Sequence, residues 1–433
     1  MRRSLRAVVT VSVAALTLFT IGAVAGLRDE PATKPQSIIE PMRTDGLAQR
    51  IERAQQRLRT LPGDYRTWAA LGLAYVEQAR TTADPSRYPL AETALKRSLK
   101  VRDNPDALTG LGALANARHD FTAARDFARK AIQVNPFDAY AHGVLADAET
   151  QLGRAAEATA AIQRMLDLRP GLAAYARGSY DLEQRGRLAE AENLMRQALE
   201  AAVDPADVAF CRNQLGDLAW MRGDLAGATR EYAAGLAADP ASTTLLRGRA
   251  RVAAATGQIA EAVTDAATVA ARTPTPDTLL EYAELLRLAG RRADADRQLE
   301  LAGAAHRIFI ANGGRDDLTG AQLALARGDS AEAVTAAQTE WRRRPFAEVA
   351  DVLGRALHAA GRDSEALVHT RNAVAISPYN ATYVFHHAQV LLALGDRAGA
   401  RAALVKVRDL NPYFSPVDGP IAARALAELE AHP

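Results

Sequence analysis

The chain has 433 residues, 48% hydrophobic but only 5% aromatic, with 53 basic against 51 acidic side chains for a net charge of +2. An alanine-rich, aromatic-poor composition disfavours a strand-rich core, and a balanced charge without a clustered basic stretch argues against nucleic acid as a partner. The single cysteine, Cys211, excludes an intramolecular disulfide and a thiolate metal cluster, and its place early in a helix suits a small buried residue.

Residues 1–27 read as a signal peptide or a transmembrane anchor. Arg2, Arg3 and Arg6 form a basic start, residues 7–27 carry no charge, and Ala23-Val24-Ala25 is a small-residue cleavage motif that places the cut after Ala25. Left uncut, the same 21 residues match the roughly 20 needed to cross a bilayer and would tether the chain to the membrane. The arginines stay on the cytoplasmic side, so everything after Leu27 is expected outside it, with secretion after cleavage favoured over anchoring. No cysteine follows the apolar run, so a lipoprotein anchor is excluded. Residues 28–45, with Pro31, Pro35 and Pro41, read as a flexible linker.

From about Asp45 to Leu61, Leu47, Ile51, Ala54 and Leu58 share one helix face, the pattern of a helix capping the array behind it. Between Gly153 and Ala400 a glycine followed five residues later by an alanine then recurs eight times, with successive glycines 33, 37, 34, 33, 38, 33 and 34 residues apart. That is the period of stacked helix-turn-helix units. Glycine ends each first helix in a left-handed turn, small residues such as Gly112 and Ala124 let the paired helices approach, and a proline such as Pro136, Pro240 or Pro412 stops each second helix.

On these positions, shown well by Leu215, Gly216, Ala219, Gly223, Ala228, Tyr232 and Pro240, the chain resembles the tetratricopeptide repeat family. The resemblance implies an all-α, right-handed α-solenoid over residues 46–416, with ten units starting near Tyr65, Pro105, Ala139, Leu172, Ala209, Thr243, Pro276, Gly314, Ala347 and Ala381. Residues 417–433 then supply a C-terminal capping helix, with Ile421, Leu426 and Leu429 at helical spacing. Four places depart from the pattern, one of them Val203 where the fourth unit's proline belongs. The first unit carries an insert from Ala83 to Pro89, the second has His119-Asp120 at the turn instead of glycine, and the seventh lacks its proline. The last predicts a second helix running on through Phe309 to the Asn312-Gly313-Gly314 turn, with a local change of superhelical path.

The resemblance also implies a concave groove lined by the first helices. Carried over, its inward positions fall on Tyr140, Asp147 and Thr150, and on Tyr180 and Glu183. The peptide- or protein-binding groove is accordingly assigned to Tyr180, Phe210, Asn213, Asp217, Trp220, Arg247, Arg251, Glu284 and Arg287, which mix aromatic anchors with charge. The lysine and asparagine with which chaperone-binding members clamp a carboxylate tail are absent, since Ala69 and Leu73 stand there in the first unit.

No catalytic residue, metal ligand or cofactor is assigned. The histidines His358, His369, His386 and His387 lack any ligand spacing, so packing or surface roles are expected of them, and no nucleotide, nucleophile or metalloprotease motif occurs. The expectation is a non-enzymatic scaffold of the cell envelope that captures a peptide or protein. The alternative is a cell-wall or polysaccharide-binding accessory protein using the same aromatic residues. The sequence leaves the oligomeric state open.

Overall fold

A computed structural model describes residues 45–431 of the chain. Among these residues there are twenty-two α-helices and no strand, from α1 (Asp45–Thr60) to α22 (Asp418–Ala431). Those between form ten consecutive helical hairpins, from α2 (Tyr65–Thr82) with α3 (Arg87–Val101) to α20 (Ala381–Ala393) with α21 (Arg397–Leu410), each packed on the next. The chain is an α-solenoid. The proposed signal, its cleavage site at Ala25, residues 28–44 of the linker, and His432 lie outside the described residues. No described helix is long and apolar enough to cross a membrane.

Eight first helices begin on the residue the repeat register gives. Two differ. Helix α10 (Pro205–Met221) starts before Ala209 because Pro205 occupies its first position, where a missing amide costs nothing. Helix α16 (Asp317–Arg327) starts after Gly314 because the Asp316 carboxylate accepts from the Thr319 amide at its N-cap.

The hairpin turns follow directly from composition. All eight periodic glycines have φ between +71° and +82°, a conformation costing a residue with a Cβ about 1–2 kcal/mol. The nine second-helix alanines from Ala124 to Ala400 are at most 1% exposed. Small size is needed because the partner helix lies against them. At Gly216 a Cβ would stand 2.3 Å from the Tyr232 ring.

The solenoid does not remain open. After one superhelical turn it lies against itself along a seam, in which the hairpin turns of the second to fifth units touch the turns that follow the seventh to tenth. Arg344 donates to Gln151 Oε1 at 2.6 Å across 193 residues, and Asn411 Nδ2 donates to the Trp220 carbonyl at 2.7 Å across 191 residues. Between them Gly186 packs on the Tyr379 ring, a pair again 193 apart by number. At the first rung the Arg315 amide donates to the Arg118 carbonyl at 2.8 Å. With repeats 33 to 38 residues long, an offset of 193 places fewer than six units in each superhelical turn.

Three of the four departures from the repeat pattern, the insert, the His119 turn and the lengthened helix of the seventh unit, meet at that first rung. Helix α15 (Arg292–Ala311) is twenty residues long against thirteen to fifteen for the other second helices, and its extension carries Phe309 back to the start of the array. There the Phe309 ring lies 5.1 Å from His119 and 6.2 Å, edge-on, from Tyr88 within the insert. His119 holds φ +60° where eight other turns have glycine and the first has Ala83 at φ +51°, and it stacks on Phe121 at 5.5 Å. The ring contacts offset the backbone strain. Arg118 ties the group together, paired with Glu92 at 2.6 Å and set over the Tyr88 ring.

Candidate functional site

Closure of the superhelix turns the expected groove into a chamber of about 230 Å³. One wall comes from the first helices of the fourth to seventh units, here α8 (Leu172–Gln184), α10, α12 (Thr243–Ala255) and α14 (Pro276–Leu288). The opposite wall belongs to the next superhelical turn: Phe346 and Glu348 at α18 (Ala347–Ala359), then Tyr379 to Tyr383 leading into α20, and finally Asn411, Phe414 and Pro416. Its size lies below that of small-molecule clefts, which run about 300–1,000 Å³. It suits a side chain or a short extended segment, not a folded domain.

Of the nine groove residues read from sequence, Tyr180, Asn213, Asp217, Trp220, Arg247, Arg251 and Glu284 line this chamber. Phe210 and Arg287 do not. Phe210 packs into the apolar cluster of Met195, Ala198 and Leu215 between the fourth and fifth units, where an aromatic ring removes more surface from water. Arg287 is exposed, and its guanidinium donates to the Ala326 carbonyl at 3.1 Å, in the last turn of α16, where a cation complements the helix dipole. Asp147 is likewise engaged elsewhere, in a buried two-bond pair with Arg177 at 2.8 and 2.9 Å. Sequence reasoning missed the second wall, because Glu348, Tyr379 and Tyr383 become neighbours of Tyr180 only when the superhelix closes.

The electrostatics are lopsided. Five carboxylates line the chamber, Glu183, Asp217, Glu281, Glu284 and Glu348, against two guanidinium groups, Arg247 and Arg251. Both arginines are already matched: Arg247 pairs with Glu281 at 2.7 Å and Asp277 at 3.0 Å, and Arg251 pairs with Asp217 at 3.1 Å while lying over the Trp220 ring. Burial, with the Asp217 charge added, pushes the Glu183 carboxyl up to about 8. Burial likewise raises Glu348 to about 7, and it raises Glu284 well above the carboxylate range, with Asp418 and Glu281 adding to the effect.

The histidines are dispersed in local contacts. His386 meets Asp351 at 2.8 Å, His358 meets Asp363 at 2.5 Å, His369 sits edge-on to Trp341 and His387 contacts Thr370. Among the described residues no group of three or more His, Cys, Asp or Glu side chains is placed to hold a metal ion. Cys211 is fully buried, and burial pushes its thiol up to about 12.

Stacked helical hairpins around an internal groove define an α-solenoid of the scaffold kind, a fold built to present surface. The family model described as tetratricopeptide repeat matches residues 70–139, 117–173 and 213–278, and these stretches are tetratricopeptide repeats. No curated protein matches the sequence. Among solved structures it is similar to a tetratricopeptide repeat protein from Parabacteroides merdae ATCC 43184, at 17% identity and a TM-score of 0.37 over 60% of this chain and 98% of that one. It is also similar to PilW, described as a widely conserved type IV pilus biogenesis factor, at 19% identity and a TM-score of 0.39 over 47% of this chain and 94% of that one.

Proposed function

We propose that this protein is a non-enzymatic scaffold of the cell envelope, delivered across the membrane by its amino-terminal segment, and that it captures an extended segment of a protein partner inside its superhelix. A tetratricopeptide array is a protein-interaction scaffold. The observation that carries the finer reading is the chamber, where aromatic and charged side chains from both superhelical turns converge on one space. Because the seam holds the two walls at a fixed separation, little conformational entropy remains to be lost on binding.

Thr244 is a partly exposed chamber residue, so Thr244→Trp fills the space without disturbing a buried core. Crosslinked capture from an envelope fraction is expected to fall strongly in this variant while the helical circular dichroism stays unchanged. Undiminished capture would remove the chamber as the site. The location is tested by fractionation with amino-terminal sequencing. A mature protein beginning at Gly26 in the exported fraction supports secretion, intact Met1 in the membrane supports a tether, and recovery only in the cytoplasm refutes export.

A further inference from the structure

The chamber has a surplus of carboxyl groups that its own cations do not meet, and these ionise when a cation is brought beside them. Glu183 is 6% exposed and lines the space, and among the described residues its carboxyl group has neither a hydrogen bond nor an ion pair. Two of the cations near the other two surplus carboxyl groups are engaged elsewhere. Arg344, close to Glu348, bonds Gln151 and Glu340. Arg287, on the helix of Glu284, bonds the Ala326 carbonyl and Asp296.

A second, independent feature points into the same space. Asn213 is also only 6% exposed, and although its Nδ2 donates to Asp217, its Oδ1 is shut from solvent with no donor. Glu284 Oε1 is in the same condition. Buried acceptors left without donors carry a desolvation cost of about 1–3 kcal/mol each. Two acceptors on this wall lack donors, and they stand beside carboxyl groups that no guanidinium of the chamber meets.

Resting on the capture reading, we propose that the segment taken into the chamber is basic, and that a lysine or arginine side chain of the partner occupies the space between Glu183, Glu348 and Asn213. A guanidinium supplies several donors on one charged plane, enough to serve two carboxylates and an amide oxygen together. The flanking rings of Tyr180 and Tyr383 supply faces that attract a cation. The chamber already contains an example of that geometry, since the Arg251 guanidinium lies 5.7 Å from the Trp220 ring centroid. An acidic segment would add repulsion, and a neutral one would bring donors without the charge that strengthens hydrogen bonds to a carboxylate.

The test uses the full chain and two capped peptides, acetyl-Ala-Ala-Arg-Ala-Ala-amide and its counterpart with citrulline, the neutral isostere of arginine. Titration calorimetry near pH 8.5, above the values of about 8 and about 7 for the two glutamates, should show one-to-one binding of the arginine peptide. The citrulline peptide should bind about tenfold or more weakly, the scale of a charge-assisted hydrogen bond. Glu183→Gln with Glu348→Gln should weaken the arginine peptide by a similar factor and leave the citrulline peptide unchanged. Equal affinity of the two peptides, binding of neither, or an arginine peptide indifferent to the double variant overturns the inference. The peptide comparison needs no variant, so it decides the matter even where a glutamine disturbs folding. If the inference falls while Thr244→Trp still abolishes partner capture, the scaffold reading stands without it.

Discussion

Gly186 and Gly361 offer a matched pair for testing whether the superhelix is closed. Both end a first helix with φ +72°, so alanine at either position meets the same backbone strain, about 1–2 kcal/mol. They differ in what surrounds them. A Cβ at Gly361 finds nothing within 4 Å, whereas at Gly186 it would stand 2.4 Å from Tyr379 Cδ1 and 3.0 Å from Cε1, on the next superhelical turn. An aromatic ring cannot fold away as a flexible chain end does, so the seam must part. Overpacking of this kind costs about 1–3 kcal/mol, and a structure in which only Gly186 meets the ring predicts that Gly186→Ala is less stable than Gly361→Ala by that difference. Urea unfolding of the two variants side by side measures it, and small-angle scattering should show a larger radius of gyration for Gly186→Ala alone. Equal destabilisation with identical scattering would show that the two turns do not touch in solution, and the chamber would then be an open groove.

Phe309→Ala should cost about 2–3 kcal/mol for a partly buried aromatic and loosen the first rung, read as faster amide exchange at Arg315, whose N–H bonds the Arg118 carbonyl. Arg177→Met leaves Asp147 buried without its partner and should destabilise by about 3–5 kcal/mol, while adding Asp147→Leu should restore most of the loss, both measured by thermal unfolding. The pH dependence is set by Glu183. Its carboxyl titrates near 4.5 when unfolded and at about 8 when folded, so between these values the folded state holds a proton that the unfolded state has released. Its contribution to stability is therefore full below about pH 4.5 and declines until about pH 8. Glu183→Gln should flatten that decline and be more stable than the parent by a few kcal/mol at pH 8.5, by urea unfolding across the pH range. A variant with an unchanged slope would place Glu183 in contact with water.

The register of the array was legible because each hairpin obeys local rules. Glycine can adopt the left-handed turn, alanine fits the helix contact and proline ends the second helix, so the first helices from Tyr65 to Ala381 could be counted from their residues. The seam was not legible, because it depends on small rotations between units summed over more than five of them, and no residue encodes that sum. Its components were visible without their meaning: the insert containing Tyr88, the missing glycine at His119 and the absent proline that lengthens α15 read as three separate irregularities. Seven groove residues were recovered because inward positions on a first helix face the axis whatever the pitch. Glu348, Tyr379 and Tyr383 were missed because their chamber neighbours lie nearly half the chain away.

The recurrent offset of the seam limits how this protein can change in length. An open solenoid gains or loses a unit with a local effect, since each repeat contacts only its neighbours. Here Gln151 must arrive opposite Arg344, Gly186 opposite Tyr379 and Trp220 opposite Asn411. Duplicating a single hairpin between Trp220 and Arg344 would move all three pairs out of register together. Ancestral growth by repeat copying would have had to stop, or to proceed only at the two ends, once this contact had formed.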